Sequence, residues 1–230
     1  MRTNIRFRML SFICIVVFLL CPIRSKALEY IGTLSYWYSD DSKVGKWANT
    51  NRAIGVITLN SQNTTFNPDF SDGIANAKIQ WNNALGSSFS TVGYYSSSSS
   101  FNAYGGSRDE ILAAAIGFSS SDLSSNTAGQ TNTIGSIWGY FKHWPSGTYY
   151  VTKTAYNIVS SVSCVLDLQY ETNYEKKIKH ACLHEIGHAV GWFGHSSMYG
   201  DTMYPSVNVG LTISSEAEEH LVQIYQNGWY

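Results

Sequence analysis

The spacing of hydrophobic and polar positions changes period several times along the chain. Arg52 to Leu59 is rich in β-branched residues and predicts a strand, closed by the turn-rich Asn60-Ser61-Gln62-Asn63. From Asp69 to Leu85 the period lengthens. Ile74, Ala77, Ile79, Trp81 and Leu85 make a mostly apolar helical face, and Gly86 stands where a helix stops. Ser90 to Tyr95 predicts a second strand, and Ser96 to Ser100 a polar loop. Glu110 to Phe118 carries the apolar run Ile111-Leu112-Ala113-Ala114-Ala115-Ile116, read as a buried strand because Gly117 and a Ser/Asn stretch follow closely. Ser119 to Thr133 is polar and predicts a solvated surface loop. Tyr149 to Leu168, rich in Val, Tyr, Thr and Ile, carries one or two more strands. The order strand, helix, strand argues for an α+β fold, a mixed sheet with helices packed on it.

A further helix is predicted from about Asn173 to Val190, roughly 27 Å long at 1.5 Å per residue. Thr172-Asn173-Tyr174-Glu175 fits a capping box at its start, with Thr172 as N-cap and Glu175 three residues on. No internal repeat and no Pro-rich linker divides the chain. Residues 28–230 therefore read as one domain.

Composition narrows the class. Hydrophobic residues make up 44% of the 230 residues, which excludes disorder for the bulk of the chain. Only 13% are charged, about half the usual quarter, so the surface is solvated by hydroxyls and amides. Residues 1–27 hold Arg2, Arg6, Arg8, Arg24 and Lys26, no acid, and an apolar run from Met9 to Cys21. That is the pattern of a secretory signal peptide, too short for a membrane span of roughly 20 residues. Without it the chain has a net charge near -6. This excludes clustered-base binding to nucleic acid or an anionic membrane, while the leader predicts a secreted protein, expected to be a monomer. Cys14 and Cys21 leave with the leader. Cys164 and Cys182 remain, either as a disulfide or as two buried free thiols. Asn63-Thr64-Thr65 is a formal glycosylation acceptor.

The chemistry is concentrated in His184-Glu185-Ile186-Gly187-His188-Ala189-Val190-Gly191-Trp192-Phe193-Gly194-His195. His184 and His188 lie four apart, share a helix face and can grip one metal ion. Glu185 can reach a water on that metal. Gly191 permits a sharp turn that returns His195 as a third ligand. Three His leave a fourth position open, as in catalytic zinc sites. His180 also lies four before His184, but Ala181 follows it, so it has no base beside it and reads as an ordinary helix residue. His143 and His220 read as surface or packing residues. Cys182 lies about 200° around the helix from His184, so it is not expected to be a fourth ligand. A bridge from it to Cys164 would close a loop of about 18 residues, worth roughly 3 kcal/mol.

The full motif resembles the metzincin clan of zinc endopeptidases. That clan has a Met-containing turn beneath the zinc, and Met203 in Asp201-Thr202-Met203-Tyr204-Pro205 resembles the turn of the matrixin branch. His195-Ser196 fits that branch. So does Thr212-Ile213-Ser214-Ser215-Glu216, which opens a C-terminal helix whose Ala217, Leu221, Ile224 and Tyr225 would pack on the core. The resemblance implies a twisted, mostly parallel mixed sheet, a long helix in the N-terminal half, an active-site helix and a C-terminal helix. It implies one catalytic Zn2+ on His184, His188 and His195, Glu185 as general base, Met203 as support rather than ligand, and a protein or peptide substrate. The chain departs from the branch in places. Val207 stands where an aromatic wall residue is usual, Tyr204 is one residue too early for an extra ligand, and binding sequences for structural zinc or Ca2+ are not recognisable. No propeptide with a zinc-blocking Cys is expected. The rival reading is a secreted zinc-binding module, recognition or toxin-like, without proteolysis. An enzyme cleaving a non-protein amide is a third.

Overall fold

A computed structural model of the chain describes residues 43–47, 52–59, 63, 65–86, 89–92, 101–114, 117–143, 150–168, 172–196, 198–207, 210–215, 217, 218, 221 and 225. The expected leader, His220 and Ile224 lie outside these residues. The strands are β1 (Lys43–Trp47), β2 (Arg52–Thr58), β3 (Phe89–Val92), β4 (Phe101–Gly106), β5 (Gly129–His143) and β6 (Tyr150–Leu166). The helices are α1 (Phe66–Leu85), α2 (Arg108–Ala113) and α3 (Tyr174–Val190).

The long strand β6 organises a curled, mostly parallel sheet. One edge of β6 takes β1 at residues 154–158 and β4 at 161–166, both parallel, so these two strands lie end to end along it. Beyond β4 come β2 and β3, also parallel. The other edge of β6 takes β5, which runs antiparallel with three register shifts. The architecture is thus mixed α/β, and the expected α+β class holds at that coarse level. Among the described residues no helix is long and apolar enough to cross a membrane.

Helix α1 forms because Phe66, Phe70, Gly73, Ile74, Ala77, Trp81 and Leu85 recur at helical spacing and are all buried. It starts three residues before the expected Asp69. Asn63 Oδ1 accepts the Thr65 and Phe66 N–H groups at 3.0 and 2.9 Å, satisfying donors that a helix start leaves open. Gly86, at φ 60°, ends the helix as predicted. Ile79 is not on the buried face; it is 53% exposed. The Asn63 amide also donates to Asp167 at 2.7 Å, so the formal glycosylation nitrogen is engaged inside the fold.

Two expectations are corrected on the other side of the sheet. The run read as a strand at 110–118 begins inside a helix, α2. Ser107 and Glu110 form a reciprocal capping box, a helix-start signal that the apolar run obscured. The stretch 119–133 is only partly a loop. Leu123 is fully buried beside Tyr104, Ile111, Cys164 and Leu166, and Gly129 to Thr133 opens β5.

The disulfide reading is also corrected: Cys164 and Cys182 are both free and buried. Strand alternation explains it. Cys164 faces the cluster with Ile111 and Leu123, while its neighbour Ser163 faces α3. Cys182 packs against α1, where a Cβ on Gly73 would lie 2.7 Å from its Sγ. The sheet separates the two thiols.

Helix α3 has Asn173 as N-cap at φ 60° with no side-chain cap. The expected Thr172–Glu175 capping box does not form, and Glu175 instead pairs with Lys179 at 2.6 Å. Three indoles hold the helix and its exit. Trp81 Nε1 donates to Leu183 O at 2.9 Å, Trp47 Nε1 to Ala189 O at 2.9 Å, and Trp192 Nε1 to Ala217 O at 3.2 Å. Ser215, Ala217, Glu218, Leu221 and Tyr225 are helical, with Ala217 and Leu221 buried, where the C-terminal helix was expected.

Candidate metal centre

Helix α3 presents His184 and His188 one turn apart. It stops at Gly191, whose φ of 125° suits glycine. No other residue fits there, since a Cβ would lie 2.0 Å from Gly45 O. The chain then doubles back and brings His195 to the same point. The ring centroids of His188 and His195 lie 5.0 Å apart, and those of His184 and His195 5.3 Å. One ligand atom from each of the three rings lies within 4.8 Å of the others. The structure therefore brings together all three His expected from the sequence.

The tautomers follow from the backbone. His184 Nδ1 lies 2.7 Å from Thr202 O, and His188 Nδ1 lies 2.6 Å from Trp192 O. A carbonyl oxygen only accepts, so both Nδ1 atoms carry the proton and both Nε2 atoms carry lone pairs. Burial holds both rings neutral, assisted by the neighbouring His; His188 is pushed down to about 3 and His184 well below its usual range. The two Nε2 atoms are 3.0 Å apart. Two lone pairs that close repel unless a cation lies between them. A tetrahedral ion with bonds of 2.0–2.1 Å would need nitrogens about 3.4 Å apart. The donor set thus fits a metal ion.

Met203 is fully buried against Gly187 of the helix. Its turn is closed by Ser196 N donating to Met203 O at 2.7 Å and by Met203 N donating to Asp201 Oδ1 at 2.8 Å. Asp201 Oδ2 accepts from Ser214 Oγ at 2.9 Å, which ties the turn to the start of the last helix. The turn supplies Thr202 O, and so fixes the His184 ring.

Glu185 is 5% exposed and lies beside the His cluster in one cleft of about 830 Å3. Burial pushes its carboxyl up to about 8, partly offset by a hydrogen bond from Thr131. Strand β5 forms one wall of the cleft through Gly129, Gln130, Thr131 and Thr133. Phe193, Tyr204, Pro205, Ser206 and Val207 also line it. His180 is fully buried with its ring centroid 6.3 Å from that of His184, it is not one of the three converging ligands, and neither ring nitrogen has a partner among the described residues. The side chain of His143 is not among those described.

Several site residues escaped sequence reading. Thr202 and Trp192 act through backbone carbonyls, which no residue type announces. Thr131 and Gly129 sat in a stretch read as a loop. The chain matches no protein-family model and no curated protein.

Proposed function

We propose that the chain is a secreted zinc endopeptidase of metzincin-like, matrixin-like type. The observation that carries this reading is the convergence of three imidazoles with a buried carboxyl group, Glu185, in one open cleft. His184, His188 and His195 would hold the zinc. When bound, zinc supplies Lewis acidity: it lowers the pKa of water and polarises a carbonyl. Glu185 accepts a proton from the attacking water and returns it to the leaving amine nitrogen. Burial alone favours the neutral carboxyl of Glu185, and the charged form that this step needs would be favoured by a dication held beside it. Thr202 O and Trp192 O hold the rings of His184 and His188 through Nδ1, so that each Nε2 would be the atom to hold the ion. Met203 supports the floor without ligating. The mostly parallel sheet with one antiparallel edge strand along the cleft supports the family reading.

The test is hydrolysis of a peptide library by purified residues 28–230. Activity should vanish with a chelator and return with zinc. A folded, zinc-loaded chain that cleaves no peptide would leave the zinc-binding module as the better reading.

A further inference from the structure

The Glu185 carboxylate reaches from α3 across to strand β5. Its Oε2 lies 2.6 Å from Thr131 Oγ1. The same hydroxyl lies 2.9 Å from Ser163 Oγ and 3.0 Å from the Glu185 carbonyl. Thr131 and Ser163 are directly paired residues of β5 and β6, so both sheet strands share in holding this hydroxyl. It has one proton to give. With a dication beside it the Glu185 carboxyl would be charged, and the shortest contact would then take that proton, because charge-assisted hydrogen bonds are roughly twice as strong as neutral ones.

Gly129 stands two residues earlier, on the same face of β5. A Cβ there would lie 2.6 Å from Glu185 Cγ and 2.7 Å from Oε1. The carboxylate therefore occupies a slot that any side chain at 129 would fill. Gly129 makes the slot and Thr131 latches one oxygen inside it.

We propose that Thr131 is a positioning residue for Glu185: its hydroxyl pins Oε2 in the slot opened by Gly129, leaving Oε1 as the oxygen that handles the proton. The proposal rests on the endopeptidase reading for its kinetic consequence, and on geometry alone for its structural one.

The experiment compares wild type, Thr131→Val, Thr131→Ser and Gly129→Ala in zinc content, kcat, KM and crystal structure. Thr131→Val should keep its zinc, hold KM within about twofold and lose roughly tenfold or more in kcat. Thr131→Ser should restore kcat to within about threefold of wild type, since it returns the hydroxyl. Gly129→Ala, which crowds the carboxylate and spares the hydroxyl, should also lose kcat. In the Thr131→Val crystal the carboxylate should leave β5, and in Thr131→Ser it should stay. Wild-type kcat in Thr131→Val, failure of Ser to restore it, loss of zinc along with activity, or an undisplaced carboxylate would each overturn the proposal. If wild type itself cleaves no peptide, the endopeptidase reading falls, and the crystal comparison still decides whether Thr131 places Glu185.

Discussion

Gly187 rests directly on Met203. A Cβ on Gly187 would lie 2.6 Å from Met203 Sδ and 2.8 Å from Trp81 Cζ2. Helix α3 and the turn beneath it are thus in contact at the one position between His184 and His188 where a side chain would separate them. The contact matters because the same turn supplies the carbonyl that orients His184.

Gly187→Ala tests that contact. Alanine gains up to about 1 kcal/mol of helix propensity. Forcing a methyl against a buried thioether and an indole costs about 1–3 kcal/mol, so the net change is destabilising. Zinc affinity should fall with it, as the turn is pushed from the helix. Denaturant midpoints and a zinc competition assay read both. An unchanged midpoint with unchanged affinity would show that the turn yields freely and does not position His184.

His188→Ala and Glu185→Gln separate ligation from base chemistry. His188→Ala removes one of three converging rings and should lose most bound zinc. Glu185→Gln is nearly isosteric and should retain it, while losing about 10²–10⁴-fold in turnover. Metal analysis and peptide hydrolysis on the same preparations distinguish the two. Full zinc in His188→Ala would break the ligand assignment, and near-normal turnover in Glu185→Gln would move the base elsewhere.

The parts of this site legible in the sequence are those in which residue type alone carries the message. His184, His188 and His195 announce themselves by spacing, and Gly191 by the need for a turn with a positive φ. Residues 66–85 declare a helix because their buried positions recur every three to four residues. Ile79 was misplaced because apolar character does not by itself fix which face is buried. At 107–118 a local capping signal and an apolar run disagreed, and the capping box won. Strand β5 was hidden because its first residues are Gly, Gln, Thr and Asn, polar by composition and strand only through pairing with β6. Tertiary pairing of that kind leaves no trace in a local pattern. Thr131 and Gly129 went unseen with it. The thiols stayed open between bridge and free pair for a similar reason, since compartment argued for a bridge and only the sheet between them argues against it.

That last point is directly testable. Non-reduced protein of residues 28–230 should yield two alkylatable thiols on unfolding and no peptide pair linking Cys164 to Cys182. In the native state both should react slowly, because burial pushes each thiol well up and shields it. Reducing agent should leave the thermal midpoint unchanged. A bridge would instead contribute roughly 3 kcal/mol that reduction removes. A cross-linked peptide in the mass spectrum would mean the oxidised fold differs from this one.

His180 should make stability depend on pH. It is fully buried, and neither ring nitrogen finds a partner among the described residues. Burial pushes it down from 6.5 to about 4, against a small opposing pull from Asp201. The unfolded chain therefore binds this proton more readily than the folded one. Above pH 6.5 both states are neutral here, and the residue adds no pH dependence. As pH falls from 6.5 to about 4 the unfolded state gains the proton first, so stability is lost across that window and levels off below it. At 1.36 kcal/mol per unit the loss is roughly 3 kcal/mol. His184 and His188 titrate in the same direction, so the comparison must be with His180→Leu, in which they remain. Chelated protein should be unfolded by denaturant at several pH values for both chains. His180→Leu should equal or exceed wild type at pH 7, since it removes a buried group lacking hydrogen bonds. Its advantage should grow by the amount above as pH falls to 4. Parallel curves for the two chains would mean that His180 keeps its ordinary pKa in the folded protein.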